Sequence, residues 1–502
     1  MLEPVIKYLS EPTLTFAHGQ KAIDPRDGLM LFGPFDANRY FGQMNIGIIG
    51  PNRLRRLMID YLHVLDKPVF SDEDVNKHPT FLGLESVLGV FVNYENIPQI
   101  DISENSIKEA LRHQDNHVRV HKLVSIYVDK ITDYLNEEER PVNLWLVVIP
   151  EGIYTHGRPK SSALKMGGVI KSSVSRQVLK NRQQNLFEEF NNEEEAFRKA
   201  YEYEVNFHNQ MKARLLGTGI TTQIIRESKI SFSGMDTKQQ LQEEKIKTAK
   251  AWNLAVALYY KMGGLPWKMG DVRQGVCYLG LVYKKTQDKG KNACCAAQMF
   301  LDSGDGMVFR GNVGPWWNEE TGEYHLDKAD AKKIISRAMQ SYFSQFNRYP
   351  TEVFIHAKTY FNDEEWDGFQ EAAEGKSQII GVRIRNNNVF KLYREHQYSV
   401  PRGLMLQYDD NKAFLWTKGY IPRFKTQIGL ETPNPLDIQI DRGNGNVETV
   451  CKDILSLSKL NYNACIYGDG LPVTLKFAES IGEILTSAKH INGGVLPFKF
   501  YI

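Results

Sequence analysis

The sequence predicts an α/β chain built as two successive units. Three observations carry that reading. Between about residues 142 and 262, strand-like and helix-like patterns alternate. From about residue 270 the strands follow one another before a helix and a further strand. A length of 502 residues exceeds one compact domain and suits two or three.

The elements follow in chain order. Residues 1–110 mix short apolar runs with turn signals such as Asp24-Pro25-Arg26-Asp27-Gly28, and Met44 to Ile49 reads as a short strand stopped by Gly50-Pro51. Asn116 is placed to cap a helix running to about Leu135, whose Val120, Val124, Tyr127, Val128 and Ile131 share one face. Val142 to Pro150 is a near-continuous apolar strand, as in the interior of a parallel sheet. The charged stretch from about 170 to 200, with Glu193-Glu194-Glu195, reads as a solvated helix or insertion. A helix (about 203–216), a strand (Thr221 to Arg226) and a helix (about 238–262) follow. In the last, Ala249, Trp252, Val256 and Tyr260 keep helical spacing up to a stop at Gly263. Leu265-Pro266-Trp267 reads as a linker.

In the second unit, strands at Gly275–Lys284, Cys294–Leu301 and Met307–Phe309 form a meander, with Ser303-Gly304-Asp305-Gly306 as a turn. A helix (about 328–346), the strand Val353 to His356, and helices near 447–459 and 475–488 complete it. Three strands in a meander, a helix and another strand is the order of an RNase H-like fold.

Composition narrows the class. The apolar share of 42% is that of an ordinary soluble protein, and a net charge of +2 does not announce a polyanion partner, so any such partner needs a local basic channel. The five cysteines, Cys277, Cys294, Cys295, Cys451 and Cys465, form no Cys-x-x-Cys pair and read as buried reduced thiols. No apolar run approaches the roughly 20 residues of a membrane span, and the N-terminus lacks a signal-peptide pattern. A cytoplasmic protein is expected.

One group of residues has the chemistry of a phosphate site. His208 and Lys212 lie four apart on a predicted helix and so project side by side; Gln223 sits on the next strand and Lys261 closes the following helix, before Gly263-Gly264. A terminal phosphate needs cationic and neutral donors from several directions, and a ring beside a lysine can stack on a base while the ammonium holds the phosphate. Taken singly, each position is more often an ordinary polar residue than a ligand. The histidines His113, His117 and His121, spaced by four, read as polar surface rather than a metal stripe, because a helix capped by Asn116 leaves His113 outside it.

His208-x-x-x-Lys212, Ile220-Thr221-Thr222-Gln223 and Lys261-x-Gly263-Gly264-x-Pro266-Trp267 together resemble the MID domain of prokaryotic Argonautes. The resemblance implies that His208, Lys212, Gln223 and Lys261 bind the 5′-phosphate of a guide strand. It also implies that the carboxylate of Ile502 reaches back to that phosphate through Mg²⁺, with Gln223 as a second ligand. Residues 268–502 resemble a PIWI domain through Asn461-Tyr462-Asn463, Leu471-Pro472-Val473-Thr474 with Phe477-Ala478-Glu479, and Glu431-Thr432-Pro433-Asn434-Pro435-Leu436. The expected architecture is a Rossmann-like MID domain at 131–267 and an RNase H-like PIWI domain at 268–502, preceded by a partner-facing extension at 1–130.

A slicing PIWI domain holds two metal ions with acidic residues. The aligned positions here are Val282, Lys358 and Glu479. Valine has no lone pair to donate, lysine adds charge of the wrong sign, and a single carboxylate cannot hold two Mg²⁺ ions. Asp363-Glu364-Glu365 could be a displaced acidic site, but a charge run opening a helix is the expected reading. The chain is therefore expected to hold a guide without cutting. Its size, with Phe16-Ala17-His18-Gly19-Gln20 and Asp24 to Gly28, resembles short Argonautes that work with a TIR-domain partner. That resemblance implies an RNA guide, a DNA target, and a separate APAZ-containing effector of TIR, sirtuin-like or nuclease type. The alternatives are a metal-dependent nuclease using Glu479 with the 363–365 cluster, and a guide-independent scaffold.

Overall fold

The computed structural model describes residues 3–37, 42–71, 78–137, 140–171, 174, 188–230, 247–271, 273–285, 293–301, 306–310, 316–318, 322–428, 432–488 and 496–502. The expected turn at Ser303-Gly304-Asp305, the start of the helix predicted from 238, and Glu431 lie outside these residues.

Two large sheets organise the chain. Their strands are β1 (Val5–Tyr8), β2 (Ile46–Gly50), β3 (Gln99–Asp101), β4 (Leu144–Ile149), β5 (Thr221–Arg226), β6 (Val276–Lys285), β7 (Ala293–Leu301), β8 (Gly306–Arg310), β9 (Glu352–Ala357), β10 (Gln378–Asn386), β11 (Leu404–Asp409), β12 (Lys412–Leu415), β13 (Leu436–Arg442) and β14 (Leu496–Pro497). The main helices are α1 (Asn52–Leu65), α2 (Asn116–Glu137), α3 (Phe207–Leu215), α4 (Lys247–Met262), α5 (Lys328–Phe346), α6 (Asp363–Ala373), α7 (Val447–Leu457), α8 (Val473–Lys476) and α9 (Ala478–Thr486). The result is the expected α/β class.

The first sheet has the order β3-β2-β4-β5 and is parallel throughout. β4 is apolar at every position because both its faces are covered. Leu144, Leu146 and Val148 enter one core with α1 and α4, while Trp145, Val147 and Ile149 enter another with α2 and α3. Two of the four strands, β2 and β3, precede residue 131, so the boundary expected there runs through a continuous sheet.

The second sheet has the order β1-β11-β12-β13-β10-β9-β6-β7-β8-β14. The β6-β7-β8 meander is antiparallel, whereas β9 pairs parallel with both β6 and β10. A parallel neighbour needs a crossover, and α5 supplies it. The predicted 475–488 helix is two, α8 and α9, broken at Phe477.

The extension is bound into this second unit. β1 pairs with β11, and Leu14–Thr15 pairs with Lys268–Met269. Between those strands, the largely buried side chain of Glu11 accepts hydrogen bonds from Arg402 Nε at 3.0 Å and Lys459 Nζ at 2.8 Å. Burial alone would raise the Glu11 pKa, but the two cations hold it below the usual range. The predicted linker is likewise not free. Trp267 is fully buried, donating its indole N–H to Lys459 O at 3.1 Å while its own carbonyl accepts from the Tyr462 hydroxyl at 2.9 Å.

Two sequence expectations fail locally. Asp115, not Asn116, caps α2, its Oδ1 accepting from the backbone N–H groups of His117 and Val118. The three histidines are not polar surface. His113 is buried, His117 stacks on Tyr201 with centroids 4.0 Å apart, and His121 lies against Tyr203 at 5.4 Å. They pack rather than converge, and among the described residues no group of three or more His, Cys, Asp or Glu side chains is placed to hold a metal ion. No described helix is long and apolar enough to cross a membrane.

Candidate nucleic-acid interface

The helix α3 begins at Phe207 because the side chain of Asn206 accepts from the Asn209 N–H at 3.2 Å. Phe207, Met211 and Leu215 face the core, which fixes the rotation of the helix. Lys212, one turn after His208, is carried inward and is only 3% exposed. Strand β5 lies beside it in register with β4, pairing Leu146 with Gln223. Lys261 sits in the last turn of α4, where the helix dipole favours a cation, and Gly263 at φ +108° lets the chain turn away.

These elements bring four of the five predicted groups together. Lys212 Nζ donates to Thr222 O at 3.1 Å and to Ile502 O at 2.5 Å. Lys261 Nζ donates to the same Thr222 O at 3.3 Å and to Gln223 Oε1 at 2.6 Å. Ile502 is buried there because the end of the chain folds back across the first sheet. Phe498, also buried, packs on Phe300, Phe477 and Tyr260, and the turn Phe498–Phe500 contacts β5 and α4. The fifth group, His208, is at the rim, an exposed residue whose Nδ1 lies 3.1 Å from Asn209 Oδ1. Desolvation by its neighbours, then the Lys212 charge, lowers its pKa.

Two lysines sharing one carbonyl make an electrostatically unfinished arrangement. Burial lowers Lys212 to about 7. Burial, then the Lys212 charge, takes Lys261 well below the usual lysine range. A group that delivers negative charge between them would restore both ammonium forms.

Sequence reasoning missed the surroundings. Thr222 contributes through its backbone oxygen, which no side-chain pattern announces. A cavity of about 530 Å³ adjoins Gln223, lined among others by Arg226, Lys229, Lys250, Asn253 and Asn463. The signal that could have found its α4 wall is the recurrence of Lys250, Asn253 and Ala257 every three or four residues along one face.

In the second unit, Val282 lies buried in β6, opposite Ala296 of β7. Lys358 directly follows β9, and its ammonium forms an ion pair with Glu479 of α9. Gly280 is obligatory beside them, since an added Cβ would lie 1.9 Å from Thr474 O at the start of α8. His356 is fully buried, bonded through Nδ1 to Thr474 Oγ1 at 2.9 Å and lowered to about 3 by burial, so it stays neutral. The 363–365 run does open a helix. Asn362 caps α6 by accepting from Glu365 N–H at 2.7 Å, Asp363 pairs with Arg442, and Glu365 is buried against the Tyr283 hydroxyl and His325.

No protein-family model matches this sequence, and no curated protein does. Solved structures do match. Clostridium butyricum Argonaute bound to a guide DNA and a 19-mer target DNA is 18% identical over 99% of this chain and 55% of its own, with a TM-score of 0.66. Drosophila Piwi is 12% identical over 99% of this chain and 56% of its own, at 0.56. Aquifex aeolicus Argonaute is 14% identical over 99% and 57%, at 0.53. The chain thus spans a little over half the length of each of these proteins. Its fold is Argonaute-like, with the α/β architecture of MID and PIWI units.

Proposed function

We propose that this chain is the guide-holding subunit of a short Argonaute system, which grips the 5′-phosphate of an RNA guide, pairs it with DNA and activates a separate APAZ-containing effector without cutting the target. The observation that carries this reading is the convergence of Lys212, Lys261, Gln223 and Ile502 on one buried point, with His208 at its rim. If base pairing supplies sequence specificity, the protein need only hold the guide's end and its backbone. Target pairing can then bias a conformational equilibrium in the effector, expected to be of TIR type.

The oxygens of Gln223 and Ile502 suit a hard cation such as Mg²⁺, and both already accept from an ammonium group. A divalent ion beside two lysines requires the phosphate's charge, so the ion and the guide are expected to bind together. The ion would screen phosphate from carboxylate. Deleting Tyr501 and Ile502 should weaken guide binding, most in the presence of Mg²⁺; equal affinity with and without the two residues would remove the C-terminus from the site.

Non-cutting is supported by Val282 at one metal position and by the Lys358–Glu479 pair at two others. Incubating guide-loaded protein with a complementary strand and Mg²⁺ tests it. Specific cleavage would install the nuclease alternative in its place.

The lysine pKa values give a pH signature. With Lys212 at about 7 in the folded chain against 10.5 for an ordinary lysine, the unfolded chain binds more protons between those values. The stability of the free protein therefore gains from this pair as pH rises through that window. A phosphate favours the ammonium form, so its binding takes up protons there. Affinity for a 5′-phosphorylated oligonucleotide should fall from pH 7 to 9, with no such slope for a 5′-hydroxyl oligonucleotide. Identical pH profiles for the two would place the phosphate elsewhere.

A further inference from the structure

Strand β1 ends the order of the second sheet, so its outer edge is unpaired among the described residues. Two bonds decide which backbone groups that edge offers. Leu9 donates its N–H to Gly403 O at 2.9 Å, and Trp416, on the far side of β11, donates its own to Leu404 O at 2.9 Å. In an antiparallel pair, hydrogen-bonded and open positions alternate. Val5 lies opposite Gln407 and Lys7 opposite Met405, so these two residues turn their N–H and C=O groups to β11. Ile6 and Tyr8 turn theirs outward. Pro4, with no N–H to give, closes the edge at one end.

The side chains leave both faces of the strand open as well. Val5 and Lys7 share one face, Ile6 and Tyr8 the other. Val5 is 44%, Ile6 61% and Tyr8 56% exposed. Edge strands are commonly blunted by charge, but Lys7, the one charge in β1, is engaged by Glu448 of α7 at 2.5 Å. A second copy of this chain fits the edge poorly. Two copies pairing through it would run antiparallel about a two-fold axis. Ile6 against Tyr8 then sets Lys7 directly opposite Lys7, a repulsive pair. Ile6 against Ile6 sets Tyr8 opposite Pro4, and Tyr8 against Tyr8 sets Ile6 opposite Ser10, beyond the strand.

We propose that the outer edge of β1 takes one extended segment of the separate effector chain, which adds a strand to the second sheet through the N–H and C=O groups of Ile6 and Tyr8. The inference rests on the effector reading above. Backbone bonds supply the affinity. Apolar side chains beside Ile6 and Tyr8, with a neutral or acidic one opposite Lys7, select the segment.

The test uses the full-length protein, with a tagged APAZ-containing chain from the same source as the probe. Ile6→Pro should weaken binding of that chain by at least about ten-fold, because it removes an outward donor and leaves the facing carbonyl unpaired. The ladder between β1 and β11 uses no bond from the Ile6 N–H, so the melting temperature should move no more than for a surface substitution. Ile6→Thr, which keeps the N–H, should lose less affinity than the proline variant. Amide exchange in the wild-type protein needs no substitution. Ile6 and Tyr8 should exchange freely in the isolated chain and at least about ten-fold more slowly in the complex, whereas Lys7 should be slow in both. Full affinity in the Ile6→Pro protein overturns the proposal, as does exchange at Ile6 and Tyr8 that the probe leaves unchanged. An equal loss in the two variants also overturns it, since the contact would then be one of side chains alone. A wild-type chain that dimerises by itself, and is monomeric as Ile6→Pro, gives the edge to a second copy instead. If the wild-type protein binds no APAZ-containing chain, the effector reading fails and this inference falls with it.

Discussion

Replacing Lys212 and Lys261 together by glutamate should lower affinity for a 5′-phosphorylated guide by more than about 100-fold. Each ammonium is expected to make a charge-assisted bond to the phosphate, worth roughly 1.5–3 kcal/mol. Two such bonds convert to about two to four powers of ten in the dissociation constant, before the added repulsion. The same oligonucleotide with a 5′-hydroxyl should lose far less, and anisotropy titrations with the two guides measure the difference directly. Because both side chains are nearly fully buried, the double reversal could damage the fold, and Lys261→Met separates the effects. Burial already opposes the Lys261 charge, so a neutral side chain of similar length should not lower the melting temperature of the free protein. It should still diminish the preference for a phosphorylated end. If both variants keep that preference intact, the four converging groups are a structural cluster and the guide's end lies elsewhere.

Glu11→Ala should destabilise the chain by about 3–5 kcal/mol, the penalty for removing one partner of a buried ion pair. Arg402 and Lys459, 1% and 0% exposed at their side chains, would be left facing each other without their shared carboxylate. Arg402 keeps its bonds to Thr417 O and Ser458 Oγ, whereas burial already lowers Lys459 to about 8. Lys459 should therefore shed its proton in the variant, which limits the loss. Urea denaturation at pH 7 checks the magnitude. A change under about 0.5 kcal/mol, the scale of a surface substitution, would mean that the segment before β2 is not held by this triad. Glu11→Gln should recover part of the stability, since an amide oxygen can still accept from one cation.

Local pattern made much of the second unit readable. The helix predicted at 328–346 is α5, and the Val353 to His356 strand is β9, extended by one residue at each end. In the first unit, the Thr221 to Arg226 strand was read to the residue, and α3 came out shorter than the expected 203–216, because Asn206 caps it. The misreadings have two causes. Asp115 outcompetes Asn116 as a cap because its carboxylate reaches two N–H groups at once. The Leu265-Pro266-Trp267 segment has the composition of a linker, but Trp267 finds hydrogen-bond partners near residue 460, which no local pattern reports.

The sequence by itself determined which residues could serve a phosphate. Side-chain chemistry and the four-residue spacing of His208 and Lys212 are local properties, as is the absence of carboxylates at Val282 and Lys358. Only the tertiary structure decided that Lys212 and Lys261 share one carbonyl oxygen, that the last residue of the chain lies against them, and that Lys358 holds Glu479. Those contacts join residues 10 to 290 positions apart in sequence. They exist because apolar anchors such as Phe498 must be buried, and burying them carries the polar groups beside them to one place.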